Sequence, residues 1–426
     1  MSPEREICEA RARLLAAGAA LRMRSLEDRL RVLGALLEAL RDPGAAIRSE
    51  WETALAGTTG FDAANLRSGL DLALASWDSA ALEALAAREI GPAGFAGAPK
   101  APTSRVSGFE TTSVLLGGAL PTPTVSALVF PLVLGSPVLA RPSRHDPQTA
   151  RIVERALDAI DPAFAKAIEI VDFDVRDEVL LRAFLDAPCV VATGSDATIA
   201  SLAAKVGPPR RFVAHAHRIS IGVVGPEAFR RGSLGEIARG LALDVALWDQ
   251  LGCLSPLAVF VVAGTNAVAT ADDFARALDE ALHEIERELP RGCVPIEAEA
   301  AIARARSDAE LRKAAGLDVS SHAGATHTVV READSRPREA PLHRFVRVHP
   351  VRDEAALRDA IAPLGPHLAG VAIAGFGVLR EAVAGIVLDA GASRVCAPGR
   401  LQAPPLAWHH DGRAPLLSLA RVGDLE

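Results

Sequence analysis

The chain has 426 residues, half of them hydrophobic and 23% charged, enough for two or three domains with sizeable cores, and this composition excludes a disordered protein. Its net charge of −7 argues against nucleic acid as the main partner. Five widely spaced cysteines (Cys8, Cys189, Cys253, Cys293 and Cys396) contain no CxxC pair, so neither a disulfide framework nor a metal site is expected.

The first residues are charged and lack the apolar run of a signal peptide, so the chain is expected to be cytoplasmic. Residues 1–104 read as a helical N-terminal region. Leu26, Leu30, Leu33 and Leu36-Leu37 form one apolar stripe, and Leu66, Leu70, Leu72 and Leu74 a second. A connection rich in Gly, Pro and Ala follows at 91–103. From 105 onward, short apolar strands alternate with helices. Strands are expected at 113–116, 138–141, 168–173, 189–193, 212–214 and 219–224, with helices at 125–134, 146–160 and 179–185. The segment 111–140 carries no charge, but its Pro121, Pro123, Pro131 and Pro137 break it into strand, turn and buried helix rather than a membrane span.

The second half repeats the rhythm. Helices are expected at 234–248, 271–289, 297–315, 353–364 and 378–390. Strands are expected at 257–262, 327–330, 345–348, 370–374 and 394–396. The strands do not alternate polar with apolar residues, which points to parallel sheets covered on both faces. The fold class is therefore α/β, with two doubly wound domains at 105–230 and 231–396 and a tail at 397–426.

Four places can carry chemistry. Cys253 sits on a tight connection between a helix and a strand, where a thiol can be presented to a pocket or can simply pack. Thr193-Gly194-Ser195-Asp196 is a strand-to-helix turn, suited to a phosphate or to ordinary helix capping, and no GxGxxG accompanies it. Arg141-Pro142-Ser143-Arg144 ends a strand where open α/β sheets bind ligands. His215 and His217 lie between two strands, where a histidine can act as acid or base.

In this order the pieces resemble the acyl-CoA reductases of the aldehyde-dehydrogenase superfamily, in particular the LuxC-type fatty acyl reductases. The resemblance rests on Asp249-Gln250-Leu251-Gly252-Cys253-Leu254-Ser255-Pro256, on the run 191–199, on 138–143, and on the tail from Gly399 through Trp408, His410, Asp411 and Gly412. It implies a nicotinamide-binding domain, a catalytic domain, and a small bridging segment that mediates homo-oligomers. The implied activity is NADPH- or NADH-dependent reduction of an acyl-CoA or acyl-carrier thioester to an aldehyde, with Cys253 as nucleophile. An acyl-transferring partner protein is compatible with it. Arg141, Ser143, Thr193, Gly194 and Ser195 would hold the cofactor; apart from the resemblance, His217, between two strands, is the residue expected to serve proton transfer.

The water-activating Glu of hydrolytic relatives is replaced at its place by His217-Arg218-Ile219-Ser220, which favours thiol chemistry over hydrolysis. Two departures matter. Ala119 stands where the superfamily has an oxyanion-binding Asn, a loss typically worth about 100- to 1000-fold in rate. Arg141 stands in place of a cofactor-binding Lys. A CoA-acylating dehydrogenase and a non-catalytic acyl-binding relative remain the alternatives.

Overall fold

A computed structural model describes residues 3–91, 104–230 and 232–424. The chain divides into two compact units, Met1–Thr59, Ala73–His217 and Pro405–Glu426 in the first, Gly60–Leu72 and Arg218–Pro404 in the second. The connection expected at 91–103 falls, from residue 92, outside the described residues.

In the first unit β1 (Ser104–Ser107) precedes five strands: β2 (Thr112–Leu115), β3 (Val138–Arg141), β4 (Ile168–Ile170), β5 (Cys189–Thr193) and β6 (Arg211–His215). These five form a parallel sheet in the order β4-β3-β2-β5-β6. The connections after β2 run to one side and those after β5 to the other. The strand order therefore reverses between β2 and β5, and open α/β sheets bind ligands beyond the carboxyl ends of the strands at such a point.

The N-terminal helices do not stand apart from this sheet. Ile7, Ala10 and Leu14 of the helix Pro3–Met23 share a core with Leu115, Leu139 and Val190. The next helix, Leu26–Arg41, is started by Ser25, whose side chain accepts from the Asp28 N–H, and it buries Leu30, Leu33 and Leu37. The uncharged 111–140 stretch becomes β2, a turn, the helix Pro121–Val133 and β3. Pro121 suits the first helical position, where the missing N–H has no intrahelical partner. No helix among the described residues is long and apolar enough to cross a membrane.

The second unit holds β7 (Ile219–Val224), β8 (Pro256–Val262), β9 (Ser320–Ala323), β10 (Thr328–Arg331), β11 (Phe345–Val351), β12 (Leu368–Ala374) and β13 (Arg394–Cys396). Their order is β13-β12-β7-β8-β11-β10-β9, parallel except for the edge strand β9. Strand β9 carries the polar sequence Ser-Ser-His-Ala, which has no apolar run to announce it. The sheet core is apolar on both faces: Ile221, Phe260, Val371 and Val387 pack together, and Leu241, Phe274 and Leu278 of the covering helices are fully buried. Strand β7 pairs with β8 and β12 rather than with β6, so the chain changes sheets within 216–218, ahead of the domain boundary expected at 230. The tail divides at Pro404, and β14 (Arg421–Asp424) pairs antiparallel with β1 in the first unit.

Candidate active site

At the reversal point the turns after β2 and β5 approach backbone to backbone. A Cβ on Gly117 would lie 2.4 Å from the Thr193 carbonyl oxygen, so only glycine fits there. Ser195 caps the helix Asp196–Ala203, its hydroxyl accepting from the Thr198 N–H at 3.3 Å. A Cβ on Gly194 would come within 3.1 Å of the Thr198 side chain. Asp196 Oδ1 accepts from the His217 backbone N–H at 3.0 Å, which draws this carboxylate toward the chain after β6. The His217 side chain is exposed.

Arg141, at the end of β3, is buried and points inward. Its Nε and Nη2 donate to the Phe173 carbonyl at 3.3 and 3.1 Å, and burial lowers its pKa. Ser143 is buried, and its hydroxyl accepts from the His145 N–H at 3.1 Å. The cation that faces solvent here is Arg144, paired with Asp174 at 3.1 Å. Arg176 above all, and Arg144 with it, hold the Asp174 carboxyl well below the usual carboxylate range.

Cys253 lies in the second unit, half-buried, on the loop between a helical segment ending at Gln250 and β8. The approach to it is unusual. After the helix Leu234–Ala246, the residues Trp248, Asp249 and Gln250 take φ values of 57°, 48° and 64°. Left-handed backbone costs roughly 1–2 kcal/mol per non-glycine residue, so the turn persists only because its surroundings fix it.

Each residue of that turn has its own anchor. The Trp248 N–H donates to Asn65 Oδ1 at 2.9 Å, and its indole meets Phe61 edge-on at 5.8 Å. The indole also lies against Gly69, where a Cβ would come within 2.6 Å of the ring. Asp249 is held by Arg344 at 2.7 Å and by the Gly292 N–H at 3.0 Å. Gln250 donates to the Pro256 and Phe345 carbonyls and accepts from the Phe345 N–H at 2.8 Å.

Beyond the turn, the Ser220 hydroxyl donates to the Cys253 carbonyl at 2.7 Å and accepts from the Gly370 N–H at 3.0 Å. The segment 399–402 closes the far side. Asp244 accepts from the Gly399 and Leu401 N–H groups at 2.7 and 2.9 Å, while Gln402 donates to Ser255 Oγ at 2.9 Å. Burial pushes the Asp244 carboxyl up to about 7 despite these donors.

The structure thus gathers Arg141, Ser143, Thr193, Gly194, Ser195 and His217 at the carboxyl ends of the first sheet, and places Cys253 in the second unit. Sequence reading passed over Asn65, Ser220, Asp244, Arg344 and Gln402. A faint signal existed for Asp244, an acid inside an apolar helical face. The others announce nothing locally, because their partners lie far away in the chain. A further pair, His215 and Asp411, meets at 2.8 Å at the end of β6.

Solved structures of low sequence identity share this fold. An oxidoreductase from Marinobacter aquaeolei superposes with a TM-score of 0.76 at 17% identity, over 100% of this chain and 91% of its own. An aldehyde dehydrogenase from Brucella melitensis biovar abortus 2308 gives 0.76 at 14% identity, over 100% and 89%. An NAD-dependent benzaldehyde dehydrogenase from Corynebacterium glutamicum gives 0.70 at 17% identity, over 99% and 90%. No curated protein matches the chain. The architecture is that of the aldehyde dehydrogenases. Residues 27–422 match the acyl-CoA reductase (LuxC) family, and the chain belongs to that family of oxidoreductases, which reduce an acyl thioester to an aldehyde with NAD(P)H.

Proposed function

We propose that the reduction runs through a covalent acyl-Cys253 thioester, with the second unit catalytic and the first binding the nicotinamide. The observation that carries this reading is the Cys253 loop. A strained turn, anchored at every residue, and a hydroxyl on the Cys253 carbonyl fix a half-buried thiol in one place. Such pre-positioning serves a nucleophile and is superfluous for a packed cysteine. Cys253 attacks the acyl carbon and the carrier thiol leaves; the chemistry a bound nicotinamide would supply is the hydride that the Cys253-linked acyl group accepts. The Cys253 thiolate is then expelled and the aldehyde is released.

The turn 193–195 fits a cofactor pyrophosphate. There the two turns pack so closely that a Cβ on Gly117 or Gly194 would strike or crowd the protein's own atoms, and a helix of eight residues begins at that point, its N-terminal end suited to an anion. Arg144 supports NADPH as the preferred form, because it is the solvent-facing guanidinium at the end of β3. Arg141 and Ser143 shape that corner from inside. The ribbon of β1 and β14 supports homo-oligomers, since a lone two-stranded ribbon is marginal by itself. We place the enzyme in the cytoplasm, taking its acyl group from CoA, an acyl carrier or a partner protein.

The test is intact-protein mass spectrometry after incubation with a panel of acyl-CoAs, with and without NADPH. The expected result is an acyl adduct on Cys253 that disappears when NADPH is added and never forms on Cys253→Ala. An adduct that NADPH leaves untouched would instead support an acyl-binding relative crippled by Ala119.

A further inference from the structure

Strands β3 and β4 run side by side, Ala140 against Ile170, and the chain leaves both at the same end of the sheet. Beyond β4 comes Val171, whose N–H donates to the Ala140 carbonyl at 3.0 Å, and then Phe173, whose carbonyl takes both bonds from the buried Arg141. The Phe173 ring packs on Phe184 at 5.4 Å. The backbone that carries Asp174 is therefore fixed from inside, and its carboxylate stands at the corner where Arg144 follows β3.

Three charges meet there. Arg144 Nη2 reaches Asp174 Oδ1 at 3.1 Å. Arg176 grips the same carboxylate more fully. Its Nε donates to Oδ1 and Oδ2 at 3.1 and 3.0 Å, its Nη2 to Oδ2 at 2.6 Å, and its backbone N–H to Oδ1 at 3.0 Å. The Arg144 and Arg176 side chains are 62% and 80% exposed, so the corner is open to a ligand. Asp172, on the same segment, acts on the buried Arg141.

The signs decide what such a corner takes. A guanidinium suits a phosphate, while a carboxylate accepts from a ribose hydroxyl and repels a phosphate. Arg144 paired with Asp174 alone would present no net charge, and an arriving phosphate would have to win the arginine from the carboxylate. Arg176 changes that balance. It lies two residues from Asp174 in the chain and holds the carboxylate by contacts that need nothing from Arg144. Two arginines against one aspartate leave the corner net positive.

Resting on the reading of this corner as the NADPH site, we propose that Arg176 sets the preference for the 2′-phosphate by drawing Asp174 away from Arg144. Arg144 is the residue that meets the phosphate. Arg176 is a positioning residue: it keeps the carboxylate occupied once Arg144 turns to the ligand.

The experiment is calorimetric titration of the intact, cofactor-free chain at low ionic strength, where exposed charges are least screened. The probes are adenosine 2′,5′-bisphosphate and AMP, which differ only in the 2′-phosphate. The wild type is expected to bind the bisphosphate more tightly. Arg176→Gln should weaken the bisphosphate about fivefold, the upper scale of an exposed charge pair, and leave AMP unchanged, which also shows that the variant is folded. On an Asp174→Asn background the same substitution should change bisphosphate binding by less than about twofold, because the carboxylate that Arg176 holds is gone. Equal weakening on both backgrounds would mean that Arg176 touches the phosphate itself, and would overturn the positioning role. No weakening on either would reduce the pair to a surface contact and overturn it too. A wild-type protein that binds the bisphosphate no more tightly than AMP would overturn the NADPH reading, and the role of Arg176 with it.

Discussion

Arg344 and Asp249 meet at 2.7 Å with their side chains 1% and 4% exposed, each in a left-handed backbone conformation. The pair ties two strained turns together behind the nucleophile loop. Arg344 also reaches Glu286 at 2.6 Å and the Leu289 carbonyl at 2.9 Å. Removing one member of a buried pair leaves an uncompensated charge. Arg344→Met is expected to cost about 3–5 kcal/mol in urea unfolding, and to lower the rate of Cys253 acylation in whatever fraction stays folded.

Ser220 works at closer range. Without its hydroxyl the Cys253 carbonyl loses its donor and the buried Gly370 N–H its acceptor. An unsatisfied buried polar group costs about 1–3 kcal/mol. Ser220→Ala should therefore lower Tm and slow acylation about tenfold, read as adduct formation against time. An unaltered rate would show that the carbonyl contact does not set the thiol position.

Asp244 makes stability depend on pH with a definite sign. Its folded value, about 7, lies above the ordinary carboxyl value of 3.8, because burial penalises the charged form. The folded protein thus holds this proton more tightly than the unfolded chain. The contribution is complete below about pH 4 and is lost as pH rises to about 7. Asp244→Asn should flatten the fall in Tm across that window relative to the wild type, while lowering Tm throughout, since an amide cannot accept from both the Gly399 and Leu401 N–H groups.

Gly117→Ala probes the reversal point. The new Cβ would sit 2.4 Å from a backbone oxygen that cannot rotate away, so the two strand ends must part. Overpacking of this kind costs about 1–3 kcal/mol. The KM for NADPH should rise while Cys253 acylation in its absence stays close to wild type. A uniform loss of both would mean that the whole first sheet had failed.

Arg144→Ala tests the choice of cofactor. A charge-assisted contact to the 2′-phosphate is worth about 1.5–3 kcal/mol, so the KM for NADPH should rise at least about tenfold with that for NADH unchanged. The same variant releases Asp174 from one of its two arginines, which leaves Arg176 to hold it.

Much of the fold is legible in the chain itself. Apolar strands without alternation announce parallel sheets, and a cysteine between a helix and a strand announces a presented thiol, because these features depend on neighbours in sequence. The resemblance named the family from the runs around Cys253, Gly194 and Gly399. What sequence could not decide is which residues hold those runs in place. Arg141 read as a cofactor ligand, yet its guanidinium turns inward to the Phe173 carbonyl, while Arg144 faces out. His217 read as the proton-transfer residue, whereas the carboxylate that reaches this stretch from the far end of the chain, Asp411, pairs with His215. The left-handed turn at 248–250 needs no glycine, because Asn65, Arg344 and Phe345 supply what its own residues lack. Local pattern fixes the elements through propensity and burial. Tertiary structure alone assigns the hydrogen-bond partners, because a buried donor or acceptor is satisfied by whatever the fold delivers to it, at any distance along the chain.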